Sequence, residues 1–555
     1  MTLRLLACLV LTIITGSVSP SLKAQGQVTA SSTTTISPET SATKSAENPA
    51  AATSLEAAQK LYLTGQFEKA VEQYQLLIRA NSPDDAAAYA GMARAYLRLK
   101  KPDDAYTAAS NAVRLNPSLP TAHSALGEVL FRQGQLYDAQ EQFVLPFKTG
   151  QADARSYFGI EKLDRASFDY KRAKLAIDRA YALAPDDPEI FDAWIATRPL
   201  SERVKAMEAL VDPPNPFYTR SEIADMKHHL AVLKDRLEHP ERTCHLVNSD
   251  ERSTLPLVRV GEFGIPDRFL GLEVNINGQG SPLVVDTSDD DIVINGKIAE
   301  KAHVQQIVRT DMEGLGEESP PESYIGFAKS VQIGKLEFEN CYLTVIERAS
   351  RGSFFDQLPG TIGARLFEDY LVDLDMPRAK LTLTPLPKIP STPDPDSARA
   401  NSQDPDAAQF HNRYISPEIS TWTRIYQFGS DIAIPAAINE SPTELFGIDT
   451  ASYVNDMTRD FAQKWAAPDK NASTAPLYGT DGKVSTKWSG KVRLKFAGYY
   501  FDSRAEPSFD LKATNDRLGT ELYGNLGFEV LQELRIEIDY RDGLIHFEYH
   551  PTPLP

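Results

Sequence analysis

The sequence predicts a multidomain chain: an all-α solenoid of helical hairpins followed by an all-β unit of two similar lobes. Three observations carry this prediction. A small residue recurs in helical context at Ala70, Ala105, Ala139 and Ala173, with spacings of 35, 34 and 34 residues. After Leu255 the hydrophobic pattern changes from helical periodicity to short alternating runs. Two stretches of that later part then match each other position by position. Val285-Asp286-Thr287-Ser288 corresponds to Ile448-Asp449-Thr450-Ala451 at an offset of 163, and Gly360-Thr361-Ile362-Gly363 to Gly524-Asn525-Leu526-Gly527 at 164.

Bulk properties bound the function. At 555 residues the chain exceeds one compact unit, and 42% hydrophobic residues provide for real cores. The formal net charge of -18 excludes a general nucleic-acid binder, which needs a basic face to displace counterions. Nine scattered histidines and three cysteines show no metal-ligand spacing, so no metal site is expected.

In chain order, residues 1–24 read as a signal peptide. Arg4 supplies the positive start, Leu5 to Ile14 is apolar apart from Thr12, and small residues follow. Most of the apolar run lies after Cys8, which argues against a lipoprotein cleavage box there. No other segment is long and apolar enough to span a bilayer, so an exported, periplasmic or secreted protein without an integral membrane segment is expected. Residues 25–54, rich in Ser, Thr, Ala and Pro, read as a disordered tether. Cys244 and Cys341 remain in the mature chain, either bonded to each other or as two buried thiols; the sequence leaves both open.

Residues 55–190 carry the helical repeat. Gly65 and Gly134 lie five residues before their alanines, Tyr74 and Phe143 four after, and Pro117 and Pro185 twelve after, where a helix must stop. A glycine makes the turn, an alanine lets two helices approach, and an aromatic fills the gap between hairpins. The pattern resembles tetratricopeptide (TPR) repeats, which implies a surface for a protein partner. Residues 191–250 read as additional helices capping the solenoid.

The strand-rich part divides into a first lobe (256–386), a Pro- and Asp-rich linker (387–409) and a second lobe (410–550). Each lobe places an Asp-Thr pair after an apolar residue and, nearly eighty residues later, an apolar strand ending in glycine. This pairing resembles the pepsin- and retropepsin-like aspartic proteases, with two retropepsin-like halves in one chain. The resemblance implies that Asp286 and Asp449 form a catalytic dyad acting on a polypeptide. It implies that Thr287 and Thr450 brace the two loops, that Gly363 and Gly527 lie on strands passing beneath them, and that Ser452 donates to its aspartate. It also implies a hairpin over the cleft within 310–327, with Tyr324 in reach. Two aspartates are needed because one carboxylate cannot both activate water and protonate the leaving group.

The sequence departs from the family pattern at the third position of each triplet. Ser288 and Ala451 stand where glycine is usual, and Asp289 stands where a hydroxyl donor is usual. The plainest account of Asp289 to Asp291 is a set of charges solvated at a rim. The competing functional reading is therefore a catalytically inactive peptide-binding scaffold, and a third is a dimerisation module.

Overall fold

The computed structural model describes residues 4–5, 49–248, 252–261, 269–311, 314–317, 320–349, 354–387, 413–468, 477–503 and 505–550. The expected signal peptide, apart from Arg4–Leu5, lies outside the described residues. So do most of the expected tether and the inter-lobe linker from 388 onward. Arg4–Leu5 pairs with Tyr500 and Tyr499 as a short edge strand. Among the described residues, no helix is long and apolar enough to cross a membrane.

The N-terminal part is helical and the C-terminal part is built of sheets. The helices form hairpins: Pro49–Leu63 with Phe67–Arg79, Asp85–Arg98 with Pro102–Leu115, Pro120–Arg132 with Leu136–Lys148, and Ala154–Ala166 with Tyr170–Leu183. The first helix starts inside the stretch expected as tether, because Ala50 to Ala52 favour helix and leucine follows at 55. All four frame alanines are buried. Each hairpin turns on a residue with positive φ: Gly65, Lys100, Gly134 and Phe168. The aromatics fill gaps that glycines leave open. A Cβ at Gly91 would collide with the Tyr74 ring, and one at Gly127 or Gly159 with Phe143.

The helices after the repeat fold back on it. Tyr62 donates to Glu189 at 3.0 Å, and Arg155 binds Asp187 and Glu189 at 2.6 Å each. Arg98 reaches Glu222 at 3.1 Å and lies over the Phe217 ring. Phe217 in turn packs edge-on against Tyr62 and Phe67. The face of the repeat that carries these groups is thus occupied by residues 187–222 of the same chain.

The repeat also docks on the second lobe. Phe131 meets Phe428 within a shared core that includes Leu136, Leu445 and Leu522. Arg132 pairs with Asp516 at 2.6 Å, Thr520 Oγ1 donates to the Phe131 carbonyl at 2.8 Å, and the Tyr523 hydroxyl donates to the Gln133 carbonyl at 3.3 Å. Phe168 fills space that only a glycine at 543 leaves free.

In the first lobe the strand Phe269–Ile276 turns through Asn277-Gly278 into Gln279–Asp286. Both turn residues have positive φ, as a two-residue hairpin requires. The sheet closes on itself because Leu336–Arg348 pairs with both Ile292–Asn295 and Glu322–Ile333. The second lobe repeats the strand order around Asp431–Ile438, Glu444–Ile448, Gly524–Leu526 and Asp456–Thr458. Cys244 and Cys341 form a disulfide, which settles the alternative left open above and ties the chain leaving the helices to the first lobe.

A six-stranded sheet joins the halves, three strands from each. At its centre Tyr370–Asp375 pairs with Leu534–Asp539 so that Leu371 meets Asp539, Asp373 meets Glu537 and Asp375 meets Arg535. At the offset of 164, Asp373 lies opposite its own counterpart. This register is that of a twofold axis relating the two lobes.

Candidate functional site

Twofold-related loops meet where the two Asp-Thr pairs stand. Asp286 ends the strand Gln279–Asp286, whose Leu283, Val284 and Val285 are buried, and Asp449 follows the strand Glu444–Ile448. Each strand lies parallel to a glycine-bearing one. Val285 pairs with Ile362 and Asp286 with Gly363, while Gly447 pairs with Asn525 and Ile448 with Leu526. Gly363 and Gly527 are needed for space rather than for φ. A Cβ on Gly363 would strike the Asp289 carbonyl, and one on Gly527 the Val454 carbonyl. These contacts hold the loops from beneath.

The threonines lock the loops to each other. The Thr287 amide donates to Thr450 Oγ1 at 3.1 Å, and the Thr450 amide to Thr287 Oγ1 at 3.2 Å. Thr287 Oγ1 then donates to the Ile448 carbonyl at 2.8 Å, and Thr450 Oγ1 to the Val285 carbonyl at 2.6 Å. Both side chains are buried, and each hydroxyl both accepts from and donates to the opposite lobe.

Each carboxylate has two donors on one oxygen. Asp286 Oδ1 accepts from the amide and the hydroxyl of Ser288, both at 2.8 Å. Asp449 Oδ1 accepts from the amides of Ala451 and Ser452, both at 2.8 Å. The side chains at the usual glycine positions therefore leave amide donation intact. The hydroxyl donor has changed place. Ser452 Oγ donates to the Val454 carbonyl, not to Asp449 as expected, and Ser288 supplies the hydroxyl in the other loop.

Electrostatics favour protons here. Burial, then the Asp449 charge, pushes Asp286 up to about 7 despite the Ser288 donors. Burial likewise pushes Asp449 to about 7 against its two amide donors, with Asp431 and Asp456 adding to the rise. The Asp449 charge is the second cause of the Asp286 rise, so ionising one carboxyl opposes ionising the other.

The acidic run is not a uniformly solvated rim. Asp290 is exposed and lies 3.9 Å from Arg365. Asp289 folds back to accept the amides of Asp290 and Asp291. Asp291 points inward, where Thr344 Oγ1 donates to it at 2.6 Å, and burial pushes it to about 7.

Tyr324 lies within the strand Glu322–Ile333, opposite Val345 and Arg309, and not at a hairpin tip. The segment 314–317 instead joins a hairpin of the second lobe, Leu477–Gly479 with Gly482–Val484. The Gly314 amide donates to Asp481 Oδ2 at 2.9 Å, and the Ser485 amide to Glu317 Oε1 at 3.0 Å. Glu317 is thus part of a junction between the lobes. Sequence reasoning missed this second hairpin, although the offset of 163 carries 314–317 onto 477–480. It also missed Asp431. Among the described residues, no group of three or more His, Cys, Asp or Glu is arranged to hold a metal ion.

Comparison with known proteins finds no matching family model and no matching curated protein. Solved structures resemble separate parts of the chain. A thermophilic TPR protein from Thermus thermophilus is 18% identical, covers 33% of this chain and 98% of its own, and has a TM-score of 0.26. A retropepsin-like aspartic protease from Rickettsia conorii is 18% identical, covers 25% and 92%, and has a TM-score of 0.17. MamA from Desulfovibrio magneticus RS-1 is 17% identical, covers 34% and 97%, and has a TM-score of 0.21.

Proposed function

We propose that the chain is an exported aspartic-type endopeptidase in which Asp286 and Asp449 activate a water molecule. The observation that carries this reading is the reciprocal Thr287–Thr450 lock. It fixes two carboxyls on twofold-related loops, each steadied by two donors and each retaining protons up to about pH 7. With one shared proton, the ionised carboxylate takes a proton from water while the protonated one polarises the scissile carbonyl. The water oxygen adds to the carbonyl carbon, the leaving nitrogen is protonated as the C–N bond breaks, and the pair returns to one proton. Positioned acid and base supply the chemistry, so no cofactor enters.

Export is part of the proposal, motivated by the signal-like start at 1–24 and by the Cys244–Cys341 disulfide, which suits an oxidising compartment. The helical repeat is assigned a docking role. One face packs on the second lobe and another holds residues 187–222, so the partner expected for it is in the first instance its own chain.

The test is cleavage of an unfolded protein by the purified mature chain. Asp286→Asn and Asp449→Asn should each abolish cleavage, since the pair works as a unit. A peptide mimic with a hydroxyl at the tetrahedral carbon should inhibit strongly. Activity should fall as pH rises above about 7, where both carboxyls ionise. A wild-type chain silent from about pH 3 to 8 would favour the peptide-binding scaffold.

A further inference from the structure

The twofold relation between the lobes holds for the backbone around the site but not for the charge. Gly271 pairs with Val284 in the first lobe, so the register carried two residues on places Phe269 opposite Asp286. In the second lobe Ala433 pairs with Gly447, and the same step places Asp431 opposite Asp449. Phe269 and Asp431 are therefore counterparts. Phe269 behaves as an apolar plug: its ring centroid lies 6.2 Å from that of Tyr453 and 5.8 Å from that of Phe528, both beside the second-lobe loop. Asp431 holds the mirror position, against the first-lobe loop.

The charged groups that act on Asp431 come from three elements. Asp286 and Asp290 face it from the first-lobe loop, Asp449 lies beyond the adjacent strand, and Arg517 faces it from the helix Lys512–Leu518. Asp290 is itself countered by Arg365. A carboxylate in this place acts on Asp449 and is acted on by Asp286, whereas the first lobe presents the Phe269 ring at the mirror position.

We propose that Asp431 is a positioning residue of the site, a third carboxyl whose charge sets the pH window in which the Asp286–Asp449 pair holds one proton. This rests on the pairing of those two aspartates proposed above. Burial holds Asp431 itself protonated up to about 7, with Arg517 opposing the rise and Asp286 adding to it; as it ionises near that pH, its negative charge makes loss of the pair's last proton harder and extends the one-proton state at its alkaline edge. The acid keeps the site working at higher pH than a ring such as that of Phe269 would allow.

The experiment compares wild type, Asp431→Asn and Asp431→Glu as full mature chains. The first readout is the pH dependence of kcat/KM. The second, independent of turnover, is carboxyl-carbon NMR titration with aspartate labelling, using Asp286→Asn and Asp449→Asn to assign the signals. Asp431→Asn should move the alkaline limb, and the titration of both assigned carboxyls, toward acid by about half a pH unit or more. Asp431→Glu should restore most of that shift. An unmoved limb and titration in Asp431→Asn overturns the proposal, and so does a shift that Asp431→Glu does not reverse, which would assign the effect to packing. If wild type cleaves nothing, the endopeptidase reading falls and the titration alone decides the role of Asp431.

Discussion

Thr287 and Thr450 show how far two hydroxyls reach. Each accepts an amide proton from the opposite loop and donates to a carbonyl there, so removing one leaves a buried N–H and a buried C=O without partners. Thr287→Val keeps the shape and removes only the hydroxyl. It should cost about 1–3 kcal/mol in denaturant unfolding. Thr450→Val should cost about the same, and the double variant less than their sum, because the four bonds form one unit. The Asp-Thr pairs and the glycine strands were legible in the sequence because they recur at a fixed offset. Asp431 was not. An aspartate just after Gly429-Ser430 reads as an ordinary turn residue, and only the strand register reveals what it faces. The exchange of hydroxyl donor between Ser288 and Ser452 was equally hidden, since one rotation of a side chain decides it.

Among the elements, the helical hairpins were the most readable. The alanine frame predicted which positions would be buried, and all four are. Ala139→Leu should overpack its helix contact and cost about 1–3 kcal/mol, read as a lowered thermal midpoint; an unchanged midpoint would count against the repeat. The turns were half legible. Gly65 and Gly134 announced themselves, whereas Lys100 and Phe168 adopt the same left-handed backbone without glycine. Phe168 is held there by its burial beside Gly543, a contact no local pattern encodes. The hairpin Leu477–Val484 was missed because it is short and its partner segment 314–317 lies in the other lobe.

For the molecule as a whole, buried acids set the pH response. Asp286, Asp289, Asp291, Asp431, Asp449 and Asp456 are each pushed to about 7 and Glu506 to about 8, with burial the first cause in every case. The folded chain thus keeps protons that the unfolded chain releases near pH 4. The stabilisation is complete below about pH 4 and is lost as pH rises through 7. Glu189, held at about 2 by Arg155 against the cost of burial, acts oppositely, but only below the unfolded carboxyl range. The thermal midpoint should therefore be higher at about pH 5 than at about pH 8, and the reverse order would contradict these assignments. Docking of the repeat on the second lobe leads to a further expectation. Arg132→Ala should lower the midpoint of the whole chain, because it strips Asp516 of a close partner at the shared core. This docking was illegible beforehand, since Arg132, Thr520 and Tyr523 belong to no repeating pattern.

The central sheet also imposes an order in time. Tyr370–Asp375 finds one neighbour, Lys380–Pro385, almost at once, but its other edge stays bare until Leu534–Asp539 has been synthesised. Through the making of nearly the entire second lobe, the first presents an unpaired strand able to capture any extended chain nearby. The same strand joins the lobes about their axis, so that joint forms only once the late strands have docked. A chain interrupted before them has both Asp-Thr pairs but lacks the sheet that joins its lobes, and any chaperone acting on the nascent protein has a defined edge to shield.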